Sequence, residues 1–232
     1  MRVVSLVPSV TETLLRWGVE PIACTRFCEQ PGLVHVGGTK DPDIEVIVAL
    51  EPDLVVLCEE ENRREDAVSL AAASVATVTL SVDTVDDVAP LMKMLAVLVG
   101  AGAVEIADLT RPPHPGPLVP VFVPIWRRPW MSLSGDTYGS SLLEVLGFAN
   151  VFADSDERYP EVELEQAAAR RPAAVLAPSE PYPFGERHVK ELEAVAPVVL
   201  VDGQDLFWWG ARTPEAIERL GAALQHLHTS AG

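Results

Sequence analysis

The stretch RVVSLVPSVTETLLRW, Arg2 to Trp17, decides the fold class of this chain. It opens with an apolar run of strand length, which Pro8 interrupts. Ser9 and Glu12 have the spacing of a capping box, and this spacing predicts a helix running to Trp17. The stretch therefore predicts a strand, a turn and a helix, which is the repeating unit of an α/β fold.

The same alternation continues along the first third of the chain. Further strands are predicted at PIACT, DLVVLC and VATVTL, and helices are predicted near Asp43 to Leu50 and Asn62 to Ala73. Strands that alternate with helices form parallel sheets with right-handed crossovers, and their strands are buried on both faces. We therefore expect a first α/β lobe over residues 1–83.

A long apolar segment separates this lobe from the rest of the chain. Residues 84–110 lack turn punctuation and predict one helix, with Pro90 tolerable in its first turns. A proline-rich joint, RPPHPGP, follows at 111–117, and the alternation then resumes with the strands LVPVFVPI, AAVLAP and VVLVD and with helices near 138–146, 186–195 and 213–227. The predicted fold class is α/β: two lobes, each with a mainly parallel sheet flanked by helices, joined by one long helix, over residues 1–83, 84–110 and 111–232.

Composition excludes several kinds of partner. The chain has 232 residues, 48% of them hydrophobic, and 17 Lys and Arg against 34 Asp and Glu give a formal net charge of -17. Such a charge repels nucleic acid and anionic membrane surfaces, and no run reaches the ~20 apolar residues of a membrane helix. The start of the chain shows no secretory leader, and the odd count of three cysteines argues against a disulfide framework, so we expect a cytoplasmic protein with reduced thiols.

Aromatic residues gather in the loops that follow the predicted strands, the most conspicuous being the run VPIWRRPWMSLSGDTYG at 123–139. Ligands of open parallel sheets bind where these loops converge. The aromatic residues in such loops are Phe27, Trp126, Trp130, Tyr138, Tyr159, Tyr182, Phe184, Phe207, Trp208 and Trp209, interleaved with Arg26, Arg127, Arg128, Arg158, Arg187 and Arg212. This set predicts a cleft for a large, flat, partly anionic ligand, or else long loops that bury their own aromatic residues locally.

Three segments together resemble a known family. They are RVVSLVPSVTETLLRWG, VGGTKDPDIEVIVALEPDLVVL and DGQDLFWWGARTPEAIERL, with the long predicted helix before the last of them. They resemble the helical-backbone receptors, the substrate-binding proteins of ABC importers for iron-siderophores, haem and cobalamin. The second segment is the most specific, because a Gly-Gly turn, a helix ending ALEPD and an apolar strand occur there in that order. The strings CTRFC, EENR, IWRRPWM, DTY, RYP and SEPYPF resemble a leaderless subgroup of that family.

The resemblance implies a binding protein that holds a large metal chelate between its lobes. It implies no enzymatic activity, no resident cofactor and no metal ligands of the protein's own, and an ABC permease as partner if a leader precedes the chain. The ligand-binding residues that follow from the resemblance and the aromatic pattern are Arg26, Phe27, Lys40, Glu60, Arg63, Trp126, Arg127, Trp130, Asp136, Tyr138, Tyr182, Phe184, Trp208, Trp209 and Arg212.

Several alternatives remain open at this point. Cobalamin receptors tend to have an aromatic residue where this chain continues with Glu59 to Glu61. These carboxylates could bind a hard cation or a ligand amine, or they could begin a solvated helix. Cys24, Cys28 and His35 could ligate a metal. An enzyme acting on a bulky anionic molecule in the same cleft is the other functional hypothesis, and its acid–base set would be Asp136, Tyr138, Glu180 and His188.

Overall fold

The computed structural model describes residues 1–109, 114 and 116–230, and it forms two compact units. The first unit contains Met1–Val82, Val88–Asp108 and Trp209–Ala211. The second contains Asp83–Asp87, Leu109–Trp208 and the described residues from Arg212 onward. Each unit has its own parallel sheet flanked by helices, so the predicted fold class is confirmed.

The sheet of the first unit has five parallel strands in the order β3-β2-β1-β4-β5. Its strands are β1 (Val3–Ser5), β2 (Ala23–Cys24), β3 (Val34–His35), β4 (Leu54–Cys58) and β5 (Thr77–Leu80). β1 and β4 are buried throughout and consist mostly of valine and leucine, which suits strands covered on both faces. Their side chains pack against the helices in a core built around Val4, Leu6, Ile47, Val55 and Leu57.

Three helices connect these strands: α1 (Pro8–Arg16), α2 (Ile44–Ala49) and α3 (Arg64–Ala72). The predicted capping box at Ser9 is wrong, because the N-cap of α1 is Val7 and the helix begins at Pro8, two residues before the predicted start. Proline suits the first turn of a helix, where its missing N–H has no partner to lose. Ser9 therefore lies inside the helix and is buried.

The predicted long helix is only partly correct. The helix α4 spans Val85–Val99 and ends at Gly100, whose φ of +66° stops a right-handed helix. Residues 101–109 are irregular, so the prediction is wrong over that stretch. Thr110 and most of the proline-rich joint lie outside the described residues. Within the described part of the chain, no helix combines the length and the apolar character needed to cross a membrane.

The second unit has a sheet of four parallel strands in the order β7-β6-β8-β9. The strands are β6 (Val119–Phe122), β7 (Phe148–Asn150), β8 (Ala174–Pro178) and β9 (Val198–Val201). The helices are α5 (Tyr138–Val145), α6 (Leu164–Ala169), α7 (Glu186–Leu192), α8 (Gly203–Phe207) and α9 (Thr213–Ser230). A core that includes Phe122, Phe152, Val175 and Phe184 lies against this sheet.

Candidate functional site

The run of aromatic and basic residues after β6 forms a tight hairpin. Trp126 and Met131 pair as an antiparallel bridge, with the Met131 N–H donating to the Trp126 carbonyl at 3.2 Å. The four residues between them make the turn, so Arg127 and Trp130 stand on the same short loop. A hydrogen bond at Trp130 holds the hairpin against a later segment of the chain, because the Val162 N–H donates to the Trp130 carbonyl at 2.9 Å.

Four aromatic side chains of the second unit form one contact group, which we call the aromatic cluster: Trp126, Trp130, Tyr182 and Phe184. Trp130 stacks on Phe184 with ring centroids 5.9 Å apart and planes 6° from parallel. Trp126 meets Tyr182 edge to face at 5.6 Å, and Tyr182 contacts Phe184 at 4.7 Å. Phe184 is buried, whereas Trp126 is 44% exposed, so the cluster runs from the core to the surface.

Arg127 lies beside the aromatic cluster and is held by an acidic partner. Its Cζ is 5.8 Å from the Trp130 ring centroid, and its guanidinium pairs with Glu191 on α7 at 2.9 Å. The pKa of Arg127 is raised, chiefly by its hydrogen bond to that carboxylate. The guanidinium therefore stays charged and oriented next to aromatic faces.

His188 on α7 packs against the inner side of the same cluster. Its ring lies 5.5 Å from both Tyr182 and Phe184, edge to face in each case. Burial lowers the pKa of His188, and the positive charge of Arg187 lowers it further. The ring accepts a hydrogen bond at Nδ1 from the Gly185 N–H at 3.2 Å, at the start of α7. His188 therefore acts as packing for the cluster.

A second polar group of this unit is built on Asp205, a buried carboxylate in α8. Arg212 pairs with it at 3.0 Å and Arg219 at 2.6 Å. The hydrogen bond from Arg219 is the main reason that the pKa of Asp205 lies below its usual value. Arg212 also lies over the Trp208 ring, with its Cζ at 5.2 Å from the ring centroid.

Two predicted site residues take structural places around α5. Tyr138 is buried, its hydroxyl lies 3.1 Å from that of Thr213, and burial raises its pKa to about 12. Asp136 is exposed, hydrogen-bonded to the Ser134 hydroxyl and 3.6 Å from Arg158. The side chain that caps α5 is Thr137, which accepts from the Ser140 N–H at 3.3 Å.

In the first unit, Arg26 and Phe27 lie together on the one-turn 3-10 helix that follows β2. Phe27 is 51% exposed, and the Arg26 Cζ lies 4.8 Å from its ring centroid. Two carboxylate oxygens of Asp41 accept from Arg26 at 3.0 and 3.2 Å, which orients the guanidinium. Gly38 permits this approach, because a Cβ at that position would meet the Arg26 guanidinium at 2.7 Å.

The loop after β4 carries two more predicted residues, Glu60 and Arg63, and the turn between β3 and α2 carries a third, Lys40. Lys40 donates a hydrogen bond to the Glu60 backbone carbonyl at 2.8 Å, so this contact involves the backbone of Glu60 and not its carboxylate. Arg63 pairs with Asp66 at 2.9 Å. The buried side chain of Asn62, which sequence reasoning missed, joins three backbone segments. A hollow of about 490 Å³ lies beside this loop, lined by Leu57, Cys58, Glu59, Asn62, Arg63, Arg64, Ala67 and Thr79.

The structure brings some predicted residues together and places others in the core. Arg26 lies beside the exposed ring of Phe27, and the half-buried Arg127 lies beside the half-buried ring of Trp130. Trp209 is only 5% exposed and Tyr138 only 6%, so neither offers a free ring face. The burial of these two rings does not favour their predicted stacking on a ligand, which stays a prediction. The grouping of all fifteen residues in one cleft stays a prediction.

The alternatives at the acidic and sulfur-bearing residues find no support in the geometry. Among the described residues, no group of three or more His, Cys, Asp or Glu side chains is placed to hold a metal ion. Glu59 to Glu61 form the turn before α3, and His35 lies 3.0 Å from the Gln30 carbonyl. The partners that sequence reasoning missed are Asp41 and Glu191, which orient Arg26 and Arg127 from 15 and 64 residues away.

Comparison with known proteins confirms the predicted resemblance. Residues 3–103 match the family described as periplasmic binding protein. The chain is 28% identical over 197 residues to the Vitamin B12-binding protein of Pectobacterium atrosepticum, and the match covers 75% of this chain and 70% of that protein.

Two solved structures share the fold. The periplasmic vitamin B12 binding protein of Vibrio cholerae superposes with a TM-score of 0.79 at 20% identity, over 98% of this chain and 97% of that one. The periplasmic heme binding protein of the same species gives a TM-score of 0.76 at 19% identity, over 97% of this chain and 98% of that one. At these identities the likeness establishes the two-unit fold.

Proposed function

From the similarity to periplasmic binding proteins as the premise, we propose that this chain binds a large metal chelate, such as an iron-siderophore, haem or a corrinoid. The observation that carries the proposal is the aromatic cluster with Arg127 beside it. Its outer ring, Trp126, is 44% exposed, and Arg127 is fixed by Glu191 rather than free to move. Relatives in sequence and fold are named for binding vitamin B12 and heme, which are ligands of this size and shape.

The aromatic cluster has the chemistry that a flat ligand requires. The exposed part of the Trp126 ring can contact a macrocycle, while Tyr182 packs against the indole in an edge-to-face pair. Arg127 uses Nε and Nη2 on Glu191, and a guanidinium has five N–H donors in all. Tyr182 takes a further hydrogen bond with this guanidinium, and the donors that then remain can bind a carboxylate or phosphate at the rim of the ligand.

The first unit offers a similar pairing on a smaller scale. Phe27 is exposed, and Arg26 lies over its ring while Asp41 holds the guanidinium. A stacked ring with a cation beside it is the same combination as in the second unit. We therefore propose ligand-binding roles for Arg26 and Phe27 in the first unit, and separately for Trp126, Arg127, Trp130 and Tyr182 in the second.

Tryptophan fluorescence titration tests this assignment directly. The purified chain is titrated with haem, cobalamin, cobinamide and several ferric siderophores, and quenching reports binding. Trp126→Ala is expected to weaken binding about tenfold, because a stacked ring contributes on the order of 1 kcal/mol beyond the area that it buries. The matched control is Trp17→Ala, since Trp17 lies at the end of α1 and outside both assigned groups. Quenching by none of these ligands, or equal affinity of the two variants, would contradict the proposal.

Arg127→Gln separates the charge from the stacking. Haem carries propionate carboxylates, whereas the corresponding groups of cobinamide are neutral amides. The variant is expected to lose affinity for haem while it keeps its affinity for cobinamide, because only the carboxylates need the guanidinium. An equal loss of affinity for both ligands would mean that Arg127 maintains the loop conformation and does not bind the charged groups of the ligand.

The enzyme hypothesis gains no support from the geometry. Its four residues are each engaged elsewhere: Tyr138 with Thr213, Asp136 with Ser134 and Arg158, His188 with the cluster, and Glu180 against Gly203. We therefore propose a binding role without catalysis, in keeping with the binding proteins among its relatives.

Location and transport partner are part of the proposal. A cytoplasmic protein fits the three free thiols, whereas a transported form would meet an ABC permease. Fractionation of cells that produce the chain from its own gene decides between them. We expect it in the fraction that spheroplasts retain. Release by osmotic shock would replace the cytoplasmic assignment with an importer role.

A further inference from the structure

Two of the three cysteines lie next to each other at the turn after β2. Cys24 is the last residue of β2, and Cys28 ends the 3-10 helix that begins at Arg26. Both side chains are free thiols and both are buried, with Cys28 2% exposed. The turn is tight, because the Cys28 N–H donates to the Thr25 carbonyl at 3.1 Å. It therefore brings two thiols, four residues apart in sequence, to the same side of one loop.

Three hydrogen-bonding groups surround the Cys28 sulfur. The hydroxyl oxygens of Thr11 and Thr25 each lie 3.2 Å from it, and the Cys24 thiol forms the third hydrogen bond. The Thr11 hydroxyl also reaches the Val7 carbonyl at 3.1 Å, so it can accept from a thiol or turn to donate to a thiolate. The environment can thus serve either protonation state of Cys28.

These contacts divide the two thiols into different roles. Donation from Cys24 is the largest cause that lowers the pKa of Cys28, and the two threonine hydroxyls add to it against the opposing effect of burial. The pKa of Cys24 is raised, because its proton stays in the bond to Cys28 and because the residue is buried. A thiolate is the nucleophilic form of cysteine, so Cys28 is the sulfur that reacts first.

We propose that Cys28 and Cys24 are the attacking and resolving residues of a reversible intramolecular disulfide that forms with a peroxide as oxidant. The Cys28 sulfur attacks one peroxide oxygen, the O–O bond breaks, and a sulfenic acid and one water result. The Cys24 sulfur then attacks the Cys28 sulfur, the S–O bond breaks, and a second water leaves with the Cys24 proton. The two thiols lose two electrons in total, and the peroxide gains them.

The turn can admit a small oxidant by opening locally. The turn is a single 3-10 turn, in which the two residues before Cys28, Arg26 and Phe27, are exposed. The strand β2 before it is only two residues long. A single turn next to a two-residue strand can open at much lower free energy than the whole fold. The sulfurs must approach to about 2.05 Å, which draws the turn inward. The disulfide therefore also moves Phe27 and the Arg26–Asp41 pair, whatever these residues bind.

Cys58 provides a control within the same molecule. It is fully buried at the end of β4, and its pKa is raised to about 12 by burial. The Cys58 thiol forms hydrogen bonds with backbone groups of Glu60 and Glu61. Peroxide that reached any buried thiol without selection would oxidise Cys58 as readily as Cys28. A difference between them thus reports the environment of Cys28.

The test is a thiol count on the full-length chain. Reduced protein is treated with hydrogen peroxide, denatured in N-ethylmaleimide and weighed by mass spectrometry. We expect the three alkylated thiols of the reduced protein to fall to one, a peptide map to link Cys24 to Cys28, and dithiothreitol to restore all three. Cys28 should be oxidised at least tenfold faster than Cys58.

Two variants keep the test decisive. Cys58→Ser should form the same disulfide, and Cys24→Ser should stop at a sulfenic acid on Cys28 that dimedone captures. Three free thiols at peroxide levels that already oxidise methionine, a disulfide that includes Cys58, or equal oxidation rates of Cys28 and Cys58 would each overturn the proposal. Circular dichroism of each variant shows that it is folded before the count is made.

Discussion

At the scale of single residues, burial separates the aromatic side chains into two kinds. Trp126 and Phe27 keep about half of their surface, whereas Trp209 and Tyr138 are almost completely enclosed. The sequence places all four in loops after strands, and nothing in their local pattern distinguishes them. Their consequences for the protein differ, because an enclosed ring supports the core and an exposed one is available to a ligand.

Trp209→Ala is expected to lower the free energy of unfolding by about 3 kcal/mol or more, as removal of a buried tryptophan leaves a large cavity. Trp126→Ala should change it by less than about 1 kcal/mol, since nearly half of that side chain is already in water. Urea unfolding followed by far-UV circular dichroism measures both. Similar unfolding midpoints for the two variants would contradict the burial of Trp209.

Asp205 gives a prediction with a defined pH dependence. Its carboxylate is buried between Arg212 and Arg219, and its pKa is lowered in the folded protein. A carboxylate with a lowered folded pKa stabilises the fold above the unfolded pKa, about 3.9, and this contribution is lost as the pH falls through the folded pKa. Asp205→Asn should therefore cost about 2 kcal/mol at pH 7 and progressively less below about pH 4.

Urea unfolding of the wild type and Asp205→Asn over a series of pH values checks this. The matched control is Asp154→Asn, because Asp154 pairs with Arg170 on the surface and is 70% exposed. It should change stability little at any pH. A pH-independent difference between wild type and Asp205→Asn would show that shape, and not charge, is what the carboxylate contributes.

At the scale of elements, the turn between β3 and α2 depends on glycine. Gly37 has a φ of +91°, and a Cβ at that position would overlap the Asp41 carbonyl oxygen. Both the backbone conformation and the space exclude other residues. The same turn carries Asp41, which orients Arg26, so the element joins the stability of the first unit to its candidate site.

Gly37→Ala should lower the free energy of unfolding by about 1–3 kcal/mol, the range for one strained residue. Gly32→Ala is the control, because its backbone is unstrained and open space surrounds its position. Thermal unfolding of both variants provides the measurement. If Gly37→Ala were as stable as Gly32→Ala, the described turn geometry would be incorrect.

At the scale of the whole molecule, charge dominates. The formal net charge of -17 at pH 7 produces mutual repulsion that opposes the compact state. Salt screens this repulsion, with a Debye length that shrinks from about 30 Å at 0.01 M to about 8 Å at 0.15 M. The thermal unfolding temperature at pH 7 should therefore rise over this range of sodium chloride.

Near the isoelectric point of about 4.6, the same salt series should have little effect, because the net charge vanishes there. Differential scanning fluorimetry at the two pH values makes the comparison. A fall in the unfolding temperature with salt at pH 7 would indicate that specific ion pairs outweigh the net repulsion.

The sequence by itself determined the class of the fold. Buried strands such as β1 and β4 are nearly continuous runs of valine and leucine, and α2, α3, α5 and α9 follow from local periodicity within a few residues. These signals are local, so they can be read without knowing what packs where. Short elements escaped prediction: β3 and β7 have two and three residues, and α8 has five. Such lengths are too small for a period to show.

Only the tertiary structure decided which side chains form a site. Arg26 pairs with Asp41, and Arg127 pairs with Glu191, over sequence separations of 15 and 64 residues. Cys28 forms a hydrogen bond with Thr11, 17 residues away. The strand order β3-β2-β1-β4-β5 brings loops together that are distant in the chain, and no local pattern specifies that order. The burial of a side chain is likewise decided by the tertiary structure, because it depends on which residues the fold places around that side chain. Trp209 was thus expected at a ligand and is found in the interior.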